Sequence, residues 1–344
     1  MTRRELLSSL ALALRKPGMD AAQKLLTAAV GSGKLRAASI YVREANSVFS
    51  QGYGAATPAT PFLLASITKP MTATALMHLV DHRELALTDP VRKFIPEFDG
   101  AERGRVTLHM LLTHSSGLPD MLPENEELRK QHAPLSEFVA RACRTPLLFT
   151  PGTKVKYQSM GILLAAEIAQ RVTKTPFPEF LRSRVFRPLL MSESSLGLGG
   201  RAIPATAQCQ VEGNDDWNWN SSYWRNLGSP WGGAHSTAEN VGRFLRSFLT
   251  ADGRVVRPAT AERMILNQNA KLNEPWGIGF SVKPAGFGKR CSAESFGHGG
   301  STGTLCWADP VSGACCVLLT TWPAGQSGKV LLKPVSDLVS EAVV

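Results

Sequence analysis

The chain has 344 residues, of which 43% are hydrophobic and 19% charged, with 30 glycines and 22 prolines. This composition is typical of a globular protein and excludes a disordered, collagen-like or coiled-coil chain. The 38 Lys and Arg residues exceed the 28 Asp and Glu residues by ten. They are scattered and accompany no recognition motif, so we expect a solvated basic surface and no nucleic-acid partner.

The first helical pattern begins close to the N-terminus. Arg3-Arg4 followed by the apolar stretch 8–14 has the outline of a twin-arginine export signal, but Arg15-Lys16 closes the stretch and no small-residue cleavage site follows. We therefore expect an uncleaved first helix and a cytoplasmic protein, with export as the alternative. No run of 18 apolar residues is present, so no membrane span is expected.

The first two thirds of the chain combine two short strands with many helices. Hydrophobic periodicity predicts a helix over 20–30, strands over 38–42 and 48–50, and a strong helix over 68–82. The middle, from about 85 to 250, is predicted to contain helices and loops. Its helices are predicted over 108–112, 135–143, 161–172 and 179–186, and from a capping box at 236–239 to 249.

After residue 275 the pattern changes to strands separated by Gly and Pro turns. The strands are predicted over 276–282, 291–297, 304–308 and 314–321, and a closing helix over 331–343. This order predicts an α+β fold in which both chain ends contribute to one antiparallel sheet, flanked by helices, with a mostly helical lobe inserted. We expect the sheet lobe to comprise 1–68 and 236–344, the helical lobe 69–235, and the active site to lie between them.

The six cysteines form no Cys-x-x-Cys pair, which excludes zinc-ribbon and thioredoxin-like sites. Cys315 and Cys316 are adjacent in an apolar strand pattern, so we expect small hydrophobic residues on opposite faces rather than a disulfide. No HExxH sequence and no His/Cys cluster is present. We therefore expect no metal and no other cofactor.

A Ser-x-x-Lys sequence, Ser66 to Lys69, contains the first candidate catalytic residues. It stands at the start of the 68–82 helix, which places Lys69 one turn from Ser66 on the same face. A neighbouring amine can take the proton of a serine hydroxyl, and the free N–H groups of a helix N-terminus favour developing negative charge. Taken alone, the pattern fits an N-cap serine with a solvated lysine equally well.

Tyr157 and Ser159 form a Tyr-x-Ser sequence just before another predicted helix. A tyrosine there can shuttle protons if a nearby cation lowers its pKa from about 10. Taken singly, a tyrosine packed at the start of a helix is the simpler interpretation.

His298, Gly299, Gly300 and Ser301 form the third candidate segment. Glycines in a strand let another backbone approach closely, and free N–H groups on such a strand can form an oxyanion hole. The glycine spacing does not fit a dinucleotide-binding loop.

Other hydrolase patterns are weak or absent. His114 stands beside Ser115, Ser116 and Asp120, but sequence neighbours rarely converge into a Ser-His-Asp triad, and we expect a packing role in a turn. No Gly-x-Ser-x-Gly elbow is present, which argues against an α/β-hydrolase.

The order Ser-x-x-Lys, Tyr-x-Ser, His-Gly-Gly resembles that of the serine β-lactamase-like hydrolases. This family includes class C β-lactamases, D-Ala-D-Ala carboxypeptidases, D-aminopeptidases and family VIII-type carboxylesterases. Residues 87–98, the Leu-Leu-Thr-His-x-Ser-Gly-Leu sequence at 111–118, residues 187–191 and the Gly-Gly segment at 232–240 resemble further parts of the family pattern. The resemblance extends over about residues 20–340.

The resemblance implies a β-lactamase/transpeptidase-like fold and an acyl-enzyme mechanism on a small-molecule ester or amide. Ser66 would be the nucleophile, with Lys69 and Tyr157 as the general-base pair that also protonates the leaving group. The N–H groups of Ser66 and Ser301 would bind the oxyanion.

Two positions depart from the pattern that the family commonly shows. His298 stands where β-lactamases usually carry Lys. D-aminopeptidases and some D-Ala-D-Ala carboxypeptidases carry His at this position. A mostly neutral imidazole repels the Lys69 ammonium less, so we expect an alkaline activity optimum. Ser159 stands where Asn commonly holds the amide arm of a β-lactam or peptide, and its shorter side chain favours esters.

Five of the eleven Trp and Tyr residues fall within fifteen positions, at 217, 219, 223, 224 and 231. These rings could form the wall of an apolar acyl or alcohol pocket, with Trp231 among the substrate-binding residues, or could instead anchor a loop by burial. Both interpretations remain open at this point.

The sequence as a whole predicts a serine hydrolase, most simply a carboxylesterase acting on small or medium-chain esters. A D-amino-acid peptidase or amidase, or a weak β-lactamase, is the alternative within the same chemistry. A non-catalytic ligand-binding protein on the same fold is the alternative of another class. The sequence leaves the oligomeric state open.

Overall fold

The computed structural model describes residues 17–213 and 216–344. The expected first helix or export signal within residues 1–16 lies outside the described residues. A five-stranded antiparallel sheet has the order β2-β1-β8-β7-β6, and a small three-stranded sheet has the order β3-β5-β4. The strands are β1 (Ala37–Glu44), β2 (Ser47–Gly54), β3 (Phe62–Leu63), β4 (Ser195–Leu196), β5 (Ala234–Ser236), β6 (Phe296–Gly300), β7 (Thr304–Asp309) and β8 (Ala314–Thr320).

Helices fill the middle of the chain and also cover the large sheet. They are α1 (Pro17–Gly31), α2 (Thr68–Asp81), α3 (Leu108–Leu112), α4 (Asn125–Lys130), α5 (Leu135–Arg144), α6 (Met160–Thr173), α7 (Phe177–Leu181), α8 (Ser222–Leu227), α9 (Ala238–Leu249), α10 (Pro258–Ile265), α11 (Ala324–Ser327) and α12 (Lys333–Val343). The capping box predicted at 236–239 is wrong by one residue, because the N-cap of α9 is Thr237, whose hydroxyl accepts the N–H of Asn240.

The two chain ends meet in the middle of the large sheet, as predicted. β1 pairs with β8 from Ala38 opposite Thr320 to Arg43 opposite Cys315. Side chains alternate across the sheet, so adjacent residues of β8 enter two different hydrophobic clusters. Cys315 packs in the larger cluster, which includes α2 and α6, and Cys316 packs against α1 and α12. Both thiols are free, which confirms their prediction as small buried hydrophobic residues.

Two predicted strands are wrong in extent. Residues 276–282 contribute only one isolated bridge, between Ser281 and Gly297, and 291–297 is a strand only from Phe296. The alternation of Trp276, Ile278 and Phe280 does reflect burial. Their backbone forms a turn instead of a ladder, since the N–H of 277 bonds to the carbonyl of 280 and the N–H of 278 to that of 264.

No helix within residues 17–213 and 216–344 is long and apolar enough to cross a membrane. The division into a sheet lobe and a helical lobe at residues 68/69 and 235/236 stays a prediction. β5, at the second of these boundaries, pairs with both β3 and β4.

Candidate active site

Ser66 lies in a short 3-10 turn, Ala65–Ile67, between β3 and α2. Ala65 has φ +47°, a left-handed conformation that a residue with a Cβ adopts only at a cost. The turn is held because the N–H of Leu64 donates to the carbonyl of Ala234 in β5 at 2.8 Å. The surrounding structure therefore presents Ser66, partly exposed, at the wall of a cavity of about 610 Å³.

Lys69 is fully buried one turn after Ser66. Its Nζ lies 2.9 Å from Ser66 Oγ, donates to the carbonyl oxygen of Trp231 at 2.9 Å and lies 4.7 Å from the centre of the Tyr157 ring. Burial lowers the pKa of Lys69 to about 7, while the charge of Asp120 acts in the opposite direction. Much of the Lys69 population is therefore a free amine at neutral pH, placed to accept the Ser66 proton.

The alkaline activity optimum stays a prediction, but the pKa of Lys69 is lower than this prediction assumed. His298 is neutral, as expected, because burial lowers its pKa to about 3, with the charge of Lys69 as the second cause. Lys69 does not need a second cation to become basic near pH 7, because its own burial already destabilises the ammonium form.

Tyr157 lines the same cavity as Ser66. Burial raises the pKa of Tyr157 above its ordinary value, and a hydrogen bond with Ser66 opposes this only in part. The condition under which Tyr157 was expected to shuttle protons, a pKa lowered by a cation, is therefore not met. Tyr157 keeps its proton at neutral pH and can donate it.

β6 approaches the Ser66 turn closely at Gly300. A Cβ at this position would stand 2.4 Å from the carbonyl oxygen of Leu64 and 3.1 Å from the Cβ of Ala65. The hydroxyl groups of Thr302 and Thr304 donate to the carbonyls of residues 63 and 64 at 2.8 and 2.9 Å. A glycine at 300 is therefore required for the β6–β7 hairpin to reach the turn that contains Ser66.

This approach brings the third predicted segment into the cavity. Gly299, Gly300 and Ser301 line it together with Ser66. His298 is buried behind it, with Nδ1 2.7 Å from the carbonyl of Gly299. The backbone N–H groups of Ser66 and Ser301 are thus on two segments that border one cavity, as an oxyanion hole requires.

Ser159 is not available in the way that its sequence position suggested. Its hydroxyl donates to Asp120 Oδ1 at 2.6 Å, and its N–H donates to the carbonyl of Asp120 at 3.2 Å. Asp120 is exposed in the cavity wall and has no salt bridge with any described residue. The polar group presented beside Tyr157 is therefore a carboxylate. The sequence indicated Asp120 only as a neighbour of His114 in a triad that was not expected to form, and its contact with Ser159 was not predicted.

The tryptophan-rich segment contributes to the cavity wall. Trp219, Trp224 and Trp231 line the cavity. Trp231 is 2% exposed and packs near Phe138 and Trp224, so its ring offers a substrate little surface. Its main contribution to the site is its carbonyl oxygen, which accepts a hydrogen bond from Lys69. The guanidinium of Arg129 lies 4.0 Å from the Trp224 ring and donates to the carbonyl of residue 217 at 2.8 Å. The segment thus both lines the cavity and is anchored to α4.

A family profile matches the sequence of this chain. The profile described as beta-lactamase covers residues 22–338. This chain belongs to the beta-lactamase family. The chain is therefore a member of a β-lactamase-fold serine hydrolase family.

Proteins similar to this chain include an esterase by sequence and, by fold, a hydrolase with acyltransferase activity and an amidase. Esterase EstB from Burkholderia gladioli is 35% identical over 150 residues, which is 39% of this chain and 38% of EstB. The chain therefore spans less than half the length of this curated relative. Two solved structures share the fold. EstCE1, a hydrolase with promiscuous acyltransferase activity, has a TM-score of 0.76 at 18% identity, covering 94% and 97% of the two chains. D-amino acid amidase from Ochrobactrum anthropi SV3 has a TM-score of 0.77 at 23% identity, covering 95% and 99%.

Proposed function

We propose that this protein is a carboxylesterase that acts through an acyl-enzyme on Ser66. The observation that carries the proposal is the 2.9 Å contact between Ser66 Oγ and the Nζ of Lys69, an amine with a pKa of about 7. A serine hydroxyl becomes an effective nucleophile when a base of this kind can take its proton.

Lys69 and Tyr157 carry out different proton transfers in the proposed reaction. In acylation Ser66 Oγ attacks the ester carbonyl and its proton passes to Lys69, while the oxyanion is bound by the N–H groups of Ser66 and Ser301. The Tyr157 hydroxyl then protonates the leaving alkoxide and is reprotonated by Lys69. In deacylation a water attacks the acyl carbonyl and gives its proton to Lys69, which then protonates Ser66 Oγ as it leaves.

The surroundings of Ser159 favour esters over β-lactams and peptides. An acylamino arm presents a carbonyl oxygen, and the group beside Tyr157 that would meet it is the Ser159–Asp120 pair. A carboxylate repels that oxygen. A simple acyl ester has no such arm, and the tryptophan rings of the cavity offer its alkyl chain an apolar surface.

A three-substrate assay tests the proposal. p-Nitrophenyl butyrate, a chromogenic cephalosporin and D-alanyl-p-nitroanilide are compared for the wild type and Ser66→Ala. We expect butyrate turnover that disappears in the variant, with the other two substrates near background. Activity that survives Ser66→Ala contradicts the mechanism. If no substrate is turned over, failure of a phosphonate probe to label Ser66 would favour the non-catalytic alternative.

A D-amino-acid amidase or peptidase is the second candidate, and Asp120 is the observation that favours it. An exposed carboxylate in the cavity wall that forms no salt bridge with a described residue is suited to bind the α-ammonium group of an aminoacyl substrate. Preference for D-alanyl-p-nitroanilide over the butyrate ester, lost in Asp120→Asn, would establish this candidate in place of the first.

A further inference from the structure

Four aromatic side chains, one of which is Tyr157, pack together at the back of the cavity. The proposed mechanism does not explain this arrangement. His114 and His298 each pack against both Tyr157 and Trp276. The ring centres of His114 lie 4.8 Å from Tyr157 and 4.5 Å from Trp276, and those of His298 lie 6.0 and 5.9 Å away. His114, Trp276 and His298 are 0%, 6% and 4% exposed. Three of the four rings are thus buried around the fourth, Tyr157.

The hydrogen bonds of the two imidazoles fix opposite tautomers. Nδ1 of His298 lies 2.7 Å from the carbonyl oxygen of Gly299, so Nδ1 carries the proton and Nε2 is a bare acceptor. Nδ1 of His114 accepts the N–H of Gln158 at 3.2 Å, so Nε2 of His114 carries the proton and is a donor. Both rings are neutral at pH 7, because burial lowers both pKa values and the charge of Lys69 lowers them further.

The three polar atoms that remain form a complementary set. His114 Nε2–H and Trp276 Nε1–H are buried donors, and His298 Nε2 is a buried acceptor. None of the three has a hydrogen-bond partner among the described residues. Buried polar groups of this kind are normally paired, with ordered water where protein groups do not reach. One water molecule can accept two hydrogen bonds and donate two, which matches the two donors and one acceptor of this set.

We propose that His114 is a positioning residue for the Ser66–Lys69–Tyr157 centre and acts through one buried water that it shares with His298 and Trp276. The water accepts from His114 and Trp276 and donates to His298, and its second O–H is directed at Tyr157, which all three rings contact. This arrangement fixes the Tyr157 ring and keeps His298 a neutral acceptor beside Lys69. No proton of the reaction needs to pass through the water.

His114→Asn is the variant that tests this role. The asparagine oxygen replaces Nδ1 as acceptor for the N–H of Gln158, and asparagine tolerates the left-handed φ of +61° at this position. The substitution removes the Nε2–H donor together with the ring contacts that His114 makes with Tyr157 and Trp276. His82→Asn, at an exposed histidine outside the cavity, is the matched control.

The first measurement does not depend on turnover, although the catalytic consequence rests on the proposed function. In protein labelled with ¹⁵N-histidine and carrying Ser66→Ala, we expect His298 protonated on Nδ1 and His114 on Nε2, with neither ring titrating between pH 5.5 and 9. His114→Asn should abolish the single tautomer of His298, and His82→Asn should not. A proton on Nε2 of His298, or a His298 signal that His114→Asn leaves unchanged, overturns the proposal whatever the substrate is.

The second measurement tests the catalytic consequence with the ester. We expect His114→Asn to lower kcat for p-nitrophenyl butyrate about tenfold or more, with KM within about twofold, because Tyr157 loses its fixed position. Trp276→Phe should have a smaller effect, since the water keeps two partners. A crystal structure of the wild type should show the water within hydrogen-bonding distance of all three nitrogen atoms. Density without such a water, or an unchanged kcat in a folded His114→Asn variant, contradicts the proposal.

Discussion

Lys69 is the base of the proposed mechanism, and its environment rather than its sequence motif sets its pKa. The side chain is fully buried and forms hydrogen bonds with Ser66 and with the carbonyl of Trp231. Its nearest opposing influence is the charge of Asp120, which raises the pKa that burial lowers to about 7. The Ser-x-x-Lys motif supplies the amine, but residues outside the motif set its surroundings: Trp231 accepts its hydrogen bond, and the charge of Asp120 raises its pKa.

Asp120→Asn is expected to move the acidic limb of the pH–rate profile to lower pH. Removing the negative charge lowers the pKa of Lys69, so the free amine persists at lower pH; we expect a displacement of roughly half a unit to one unit. The asparagine can still accept the Ser159 hydroxyl. The profile of kcat/KM for p-nitrophenyl butyrate gives the apparent pKa. Asp99→Asn, an exposed aspartate outside the cavity, serves as the control. A displacement to higher pH would contradict this electrostatic account.

Lys69→Met is expected to stabilise the folded protein at low pH while abolishing activity. Lys69 has a pKa of about 7 in the folded protein and of about 10.4 in an unfolded chain. Between these values the unfolded chain binds the extra proton, so the free energy of unfolding of the wild type rises with pH from about 7 to about 10. The variant lacks this contribution.

Urea denaturation at pH 6, 8 and 10 measures the effect. At pH 6 we expect the variant to be more stable than the wild type by on the order of 1–3 kcal/mol, and the difference to decrease towards pH 10. Ser66→Ala keeps Lys69 and should keep the pH dependence of the wild type. A difference between Lys69→Met and the wild type that is constant with pH would show that the ammonium form is not destabilised by folding.

The sequence predicted which residues meet at the site better than it predicted their electrostatic state. Spacing on one helix face brings Ser66 and Lys69 together, and this follows from local geometry alone. The burial of Lys69, the raised pKa of Tyr157 and the contact of Asp120 with Ser159 arise from segments far apart in the chain. Periodicity and motif spacing do not show which distant segments of the chain come into contact, so they could not predict these three features.

At the scale of elements, the site depends on how closely the β6–β7 hairpin approaches the turn between β3 and α2. Gly300→Ala tests this approach, because its Cβ would overlap the Leu64 carbonyl oxygen at 2.4 Å. We expect kcat/KM to fall about 100-fold, because about 1 Å of displacement moves the Ser301 N–H away from the oxyanion position beside Ser66. Gly299→Ala, whose Cβ has no neighbour closer than 3.8 Å, should stay within about threefold. Equal losses in the two variants, measured with p-nitrophenyl butyrate, would contradict this explanation.

The error over 276–282 shows the limit of pattern reading for elements. Alternating burial of Trp276, Ile278 and Phe280 is what a half-buried strand requires. A strand also needs a partner for its backbone groups, and here the N–H of Gly279 donates to Leu112 in the helical part of the chain. Hydrophobic alternation reports which side chains are inside, whereas the pairing of backbone groups depends on segments that the pattern does not include.

At the scale of the whole molecule, the chain ends close the sheet on which the site is built. Strands predicted at both ends, with helices between them, were sufficient to predict the shared sheet, and the β1–β8 pairing confirms it. Helices α1 and α12 cover the face of this sheet where Cys316 packs. Within this cluster the buried Trp307 of β7 donates its indole N–H to the hydroxyl of Ser336 in α12 at 2.8 Å.

Ser336→Ala is expected to lower the stability of the folded protein without changing its catalytic activity. The substitution leaves a buried indole N–H without its acceptor, which should lower the free energy of unfolding by about 1–3 kcal/mol. Neither Trp307 nor Ser336 lines the cavity, so kcat/KM should remain within about twofold. In a Trp307→Phe background the donor is gone, and Ser336→Ala should then cost less than about 0.5 kcal/mol. The same cost in both backgrounds, measured by urea denaturation, would mean that the hydrogen bond does not hold α12 to the sheet.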